Sequence, residues 1–220
     1  MNFIAATIEL KEHINDPIHG YGLEYMGADA VIPASNSTSE TKLRLLCYNG
    51  KTAKLEAFGG WKEGTRALVT GELVFGDDQA RPLDLIISTL ETNVPQTTYC
   101  NQVILGNAYF KSDEIKDRKN KQVATPIGTT MDDSDTKVEL FLEGHESLKP
   151  KLQKRIRKGR PLCVSGYLRE YRGGDAETPY RAIVCTNFST RKDGNGAKRN
   201  PQTTGTAAGY AEVDPTPDFV

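Results

Sequence analysis

The segment CVSGYLREYRGG, residues 163–174, places two tyrosines around an arginine at alternate positions. Successive side chains on a strand point to opposite faces. Tyr167, Arg169 and Tyr171 therefore share one face, and Arg172 follows at the turn. Val164 and Leu168 share the other face, with Gly166 between them. An open face carrying ring, guanidinium and ring suits single-stranded nucleic acid. Bases stack on such rings at about 1–3 kcal/mol each, and the guanidinium meets phosphate or stacks in turn. The plainer alternative is that the tyrosines are ordinary strand formers with wet hydroxyls.

Catalytic chemistry finds little support. The histidines, His13, His19 and His145, lie in polar, loop-like stretches, and no Ser or Cys sits in a nucleophile elbow. No phosphate-cradling glycine loop is present, and Asp132 and Asp133 fall in a turn, where solvated carboxylates are usual. Cys47, Cys100, Cys163 and Cys185 are scattered, without a C-x-x-C pair or clustered His, so zinc is not expected. The expectation is a non-enzyme that needs no cofactor and no metal. The longest apolar runs, such as AIVC and PLCV, are far short of the roughly 20 residues that cross a bilayer. The start, MNFIAATIELKEH, lacks the parts of an export signal. A soluble, cytoplasmic protein with reduced thiols is expected.

The net charge of −1 hides a split. Residues 1–95 hold 8 Lys and Arg against 13 Asp and Glu, net −5. Residues 96–192 hold 18 against 12, net +6, and residues 193–220 hold 2 against 4, net −2. The middle segment could attract a polyanion, and the last would be repelled by one.

The elements that must position these residues come as a repeat. KEGTRALVTGEL (62–73) and RKGRPLCVSGYL (157–168) each hold two glycines with six residues between them, at an offset of 95. NFIAATIEL and NQVILGNAYF open the two halves, TKLRLLCYNG matches TKVELFLEGH, and PLDLIISTL or RAIVCTNFS ends each half. A period of this size is a whole domain. Each half reads as five strands with one short helix between the third and fourth, in KTAKLEAFGGW and HESLKPKLQKRIRKG. In the second helix Leu148, Leu152 and Ile156 recur every four residues and make an apolar face. This is the order of an OB-fold, a Greek-key barrel that binds oligonucleotides. The chain is expected to be all-β, with OB-fold barrels over 1–95 and 96–192 joined by NVPQTT. Residues 193–220 are rich in Gly, Pro, Thr, Asn and Ala and are expected to be disordered.

The first half lacks the stripe. Glu72, Val74 and Gly76 stand where Tyr167, Arg169 and Tyr171 stand in the second, so the first half should bind more weakly through Lys42, Arg44 and Tyr48. Val74 and Phe75 are adjacent, so one should lie outside the barrel and could serve a protein interface. In the second half Phe110, Lys111, Lys137 and Arg181 join Tyr167, Arg169, Tyr171 and Arg172 as candidate nucleic-acid contacts. The basic run KPKLQKRIRKGR should be a solvated helix face away from the open strands.

These residues resemble the bacterial single-stranded-DNA-binding protein family. NQVILGN looks like its opening strand, LRLLCYNGKTAKLEAFGGWKEGTRALVTGEL is similar to its third strand, helix and fourth strand, and DPTPDF looks like its acidic tip. Two barrels in one chain match its two-domain members. The third strand of the family ends in a stacking aromatic; Tyr48 fits that position, and Glu143 stands there in the second half. The tip also departs from the family, with Val220 following Phe219. The resemblance implies protection of single-stranded DNA in replication, recombination and repair, with a homodimer assembled through the first strands and a nucleoid location. It also implies recruitment of replication and repair proteins by the tip, where Asp214, Asp218, Pro215 and Pro217 surround or precede Phe219, the one large apolar group. Two alternatives stay open: an OB-fold protein-interaction module, and an RNA-binding protein.

Overall fold

Ile4, Ala6, Ile8 and Leu10 alternate along the first strand, and all four are buried. That alternation is the signature of a sheet with one face on a core. The structure is a computed structural model describing residues 2–35, 40–48, 53–75, 80–92, 94–131, 134–135, 140–171 and 179–190. Lys137, Arg172 and the tip residues Asp214, Pro215, Pro217, Asp218 and Phe219 lie outside the described residues.

The first half contains β1 (Asn2–Gly20), β2 (Leu23–Ile32), β3 (Thr41–Tyr48), α1 (Ala53–Gly59), β4 (Arg66–Val74) and β5 (Leu83–Thr92). The second contains β6 (Asn101–Phe110), β7 (Lys116–Arg118), β8 (Gln122–Met131), β9 (Ser134–Asp135), β10 (Leu140–His145), α2 (Lys149–Arg155), β11 (Pro161–Tyr171) and β12 (Tyr180–Thr190). β1 pairs with both β2 and β4, β2 with β3, β3 in parallel with β5, and β5 with β4, which closes a circuit. β6, β8, β10, β12 and β11 close a second circuit in the same manner, again with one parallel pair, β10 with β12. In each half the helix falls between the third and fourth strands of the circuit, the OB-fold order expected from the repeat. Leu152 and Ile156 are buried under α2, and Leu148 packs beside them.

Three features were not anticipated. β7 adds a short hairpin strand to β8, and β9 pairs with the far end of β8. β1 runs on past the circuit as a hairpin arm with β2, turning at Tyr21 (φ 51°) and Gly22 (φ 73°). The first strands of the two halves also pair with each other inside the chain, Asn2–Ala6 against Asn101–Leu105. β1 thus has β4 on one edge and β6 on the other, and the edges expected to pair between subunits are occupied. A further link joins the halves, where the fully buried Arg181 donates from Nη2 to the Arg81 carbonyl. Val74 and Phe75 are both buried, so neither forms the exposed apolar patch expected there.

The glycine repeat has a steric cause. Gly64 and Gly159 turn the chain at φ +78° and +77°. Gly71 and Gly166 sit where the ladder to the last strand of each half shifts register. A Cβ on Gly71 would overlap the Ile86 carbonyl oxygen, and one on Gly166 would overlap that of Val184. These oxygens are backbone and cannot swing aside. Gly166→Ala should cost about 2–4 kcal/mol in urea unfolding, against about 1 kcal/mol for Gly159→Ala. Equal costs would mean that the close approach is not the constraint.

Candidate nucleic-acid interface

Burial alternates along β11, and Tyr167, Arg169 and Tyr171 fall on its outer face, as their spacing requires. The pairing sets neighbours beside them. Tyr171 stands opposite Tyr180; Arg169 opposite Ala182, which faces Phe141; Tyr167 opposite Val184, which faces Glu143. The result is a cluster of rings and cations. Phe141 and Tyr180 stack with centroids 4.6 Å apart and planes at 23°. Tyr171 leans on Tyr180 at 5.7 Å. The Arg118 guanidinium lies 5.0 Å from the Tyr180 centroid, and that of Arg169 lies 4.3 Å from Tyr171. Arg118, Gln122, Glu143, Arg169, Tyr171 and Tyr180 line one groove on this face.

The electrostatics turn on Glu143. It is only 4% exposed. Its Oε2 accepts from the Tyr171 hydroxyl at 3.4 Å and lies 3.9 Å from Arg169 Nη1. Burial pushes its carboxyl above the ordinary range, against the pull of Arg169, Tyr171 and Arg118. Burial, and then the Glu143 charge, pushes the Tyr171 and Tyr180 phenols up to about 12, so both remain neutral donors at physiological pH.

Two expected contacts are corrected. Phe110 is fully buried in the core, because β6 shifts register after Leu105 and its alternation then turns Ala108 and Phe110 inward. Arg181 faces the interior as well, where its Nε donates to Glu170 Oε2 at 3.0 Å. Glu170 is also buried, so this ion pair belongs to the scaffold and cannot reach a bound strand. Lys111 borders the cluster's strands: its N–H donates to the carbonyl of Pro126, which stands opposite Phe141.

Phe141, Tyr180 and Arg118 escaped the sequence reading. Period-two alternation could have found the first two, since Phe141 lies between the inward Leu140 and Leu142, and Tyr180 precedes the inward Arg181. Arg118 sits on the unanticipated β7. The pairing also corrects the match between halves. Leu46 faces Ile86 as Glu143 faces Val184, so Leu46 is the counterpart of Glu143, and His145 is that of Tyr48.

In the first half, Lys42 is exposed and Tyr48 is 45% exposed. Tyr48 meets Tyr25 edge-on at 6.4 Å, and Tyr25 meets Tyr21 in the same way. Arg44 is held by Asp84 through two bonds, of 2.6 and 2.7 Å, while Tyr21 donates to the same carboxylate at 2.8 Å. Among the described residues this face offers the exposed rings of Tyr21 and Tyr48 and the exposed Lys42, with Arg44 already engaged by Asp84. Among the described residues no group of three or more His, Cys, Asp or Glu could hold a metal ion, and no helix is long and apolar enough to cross a membrane.

The circuits and helix positions define a protein of the OB-fold class, with its aromatic face on the second half. Among solved structures, the chain is similar to the wild-type single-stranded DNA binding protein from Thermus aquaticus. The identity is 17%, the TM-score 0.57, and the match covers 93% of this chain and 97% of that one. A deletion mutant of that protein, which also carries a substitution, matches at 16% identity and a TM-score of 0.57, over 90% of this chain and 98% of that one. At these identities the likeness is one of fold. No protein-family model matches the chain, and no curated protein matches it in sequence.

A raised carboxyl pKa fixes the sign of one pH effect. Glu143 takes up a proton more readily in the fold than in the unfolded chain, so its ionisation costs stability as pH rises through its folded value. Below the ordinary glutamate value both states are protonated and nothing is lost. Glu143→Gln should therefore melt at a temperature that rises relative to wild type between acid and neutral pH. A difference that stays constant with pH would contradict the assigned burial.

Proposed function

We infer that the chain binds and protects single-stranded DNA along the outer faces of its two halves, with the second half dominant. The carrying observation is the cluster of Tyr167, Arg169, Tyr171, Tyr180, Phe141 and Arg118 on one open face. Stacking on rings flanked by cations recognises a flexible strand without reading its sequence. The fold likeness to the single-stranded DNA binding protein from Thermus aquaticus supports the same reading. Residues 1–95 and 96–192 serve as two binding units, with Lys42 and Tyr48 as the lesser site. Lys111 extends the basic surface of the greater one, and Lys137 and Arg172, outside the described residues, join it as candidates from the sequence alone. The work of such a protein lies in replication, recombination and repair, beside the nucleoid in the cytoplasm, and involves no catalysis. The tip carries Phe219 with Asp214, Asp218, Pro215 and Pro217, an acidic-aromatic peptide that suits a basic-rimmed hydrophobic pocket on partner enzymes.

Titration of dye-labelled oligo(dT) at two salt concentrations, beside duplex and RNA of equal length, separates this reading from an RNA binder and from a protein-interaction module. Tyr167→Ala and Tyr171→Ala should each weaken oligo(dT) by about 1–3 kcal/mol. Arg169→Ala should also flatten the log–log salt slope by about 0.7 per lost phosphate contact. Glu72→Ala should leave affinity unchanged or slightly raised. Deleting 213–220 should spare oligo(dT) binding and abolish capture of partner helicases, nucleases or polymerase subunits. Equal losses from matched changes in the two halves, or tighter binding of duplex, would refute the assignment.

The proposed homodimer is supported by the outer face of β1 and β6. Phe3 and Ile104 stand directly opposite each other there, 36% and 47% exposed. Since both strand edges are occupied, association would proceed by packing of faces. Light scattering should give twice the 24.2 kDa chain mass, and Ile104→Asp should shift it towards the monomer. A wild-type monomer at micromolar concentration would end this proposal.

A further inference from the structure

Glu143 is an acid set among groups that suit a polyanion. It lies on the outer face of β10, between Val184 of β12 and Ala124 of β8, and forms part of the lining of the groove. Both contacts to its Oε2 are long, 3.4 Å from the Tyr171 hydroxyl and 3.9 Å from Arg169. A carboxylate that is 4% exposed and held only by long contacts on Oε2 is costly to keep. It also repels phosphate, so neither stability nor backbone binding accounts for it.

Resting on the single-stranded-DNA reading above, we propose that this groove takes one base and that Glu143 selects bases bearing an exocyclic amino group, cytosine above thymine. A carboxylate accepts from the cytosine N4 amine, a pairing that side chains use in reading base edges. Thymine places the O4 carbonyl at the same point, where two acceptors face each other. Stacking on Tyr171 and Tyr180 is tolerant of base identity, so the preference falls to the carboxylate. Burial raises its carboxyl, while Arg169, Tyr171 and Arg118 pull the other way and support the ionised form that accepts from the amine. In the first half the counterpart is Leu46, a fully buried apolar side chain, so that half has no equivalent selector.

The test is fluorescence anisotropy of the full chain with short dye-labelled dC and dT oligomers of equal length at neutral pH. Wild type should prefer dC by about tenfold, the worth of one good hydrogen bond to a charged group. The preference should fall to about twofold or less when the cytosines are replaced by pyrimidin-2-one, which lacks the 4-amino group, or in Glu143→Gln, whose amide can also donate to O4. The pyrimidin-2-one arm uses the native chain and does not depend on the variant folding. Equal affinities for dC and dT would overturn the selection while leaving single-stranded binding in place. A preference that survives loss of the amino group would overturn it as well. Failure to bind either oligomer would instead overturn the functional reading on which it rests.

Discussion

Strand β1 has to satisfy three neighbours, and the rest of the molecule is arranged around that demand. Its first residues take β4 on one edge and β6 on the other, with Phe3 opposite both Glu72 and Ile104. Its later residues pair with β2. One strand therefore closes the first circuit and fuses it to the second. An unpaired strand edge is an invitation to association, and at this junction the ladder leaves none. Because the register across it is fixed, Glu72, Phe3, Ile104 and Ser165 form one continuous row from β4 to β11.

The aromatic face depends on that frame through β11, which pairs with β6 along its first part and with β12 throughout. The register shift at Gly166 lets the backbone approach Val184 closely, and beyond it Tyr167, Arg169 and Tyr171 turn outward while Leu168 and Glu170 turn in. The rings already touch one another. Little side-chain ordering is left to be done on binding, which is how a preformed site keeps its entropic cost low. The corresponding positions of the two halves carry different side chains. Where the second half stacks Phe141 on Tyr180, the first holds the counterpart of Phe141, Arg44, against Asp84.

Periodicity made the strands, the helix positions and the outward stripe legible, because each is a local pattern with a period of its own. The glycine pair was legible as a repeat, and its cause lay in the approach of a distant carbonyl. Phe110 and Arg181 were misjudged for one reason: a residue type was weighed without asking which face its strand presents. Arg181 is the harder case, since a charged side chain at an inward position is tolerated only with a partner such as Glu170, and that partner lies 11 residues away on another strand. The equivalence of Glu143 with Tyr48 does not hold because strand pairing, which the sequence motif does not carry, makes Leu46 the counterpart of Glu143 and His145 that of Tyr48. The β1–β6 pairing joins residues roughly a hundred apart, and no local signal announces it.

Trp61 is the single tryptophan of the chain. It is 7% exposed in the first half, with its ring 5.2 Å from that of Phe58 and its carbonyl 2.9 Å from His13 Nε2. The stacking face, by contrast, holds only tyrosines and a phenylalanine. Indole emission from this protein therefore reports the packing around α1, and quenching by bases stacked on the second half has no direct route to it. The intrinsic optical signals of folding and of ligand occupancy are thus separated by residue type: the red-edge emission belongs to the core, and the phenol band belongs chiefly to the strand faces.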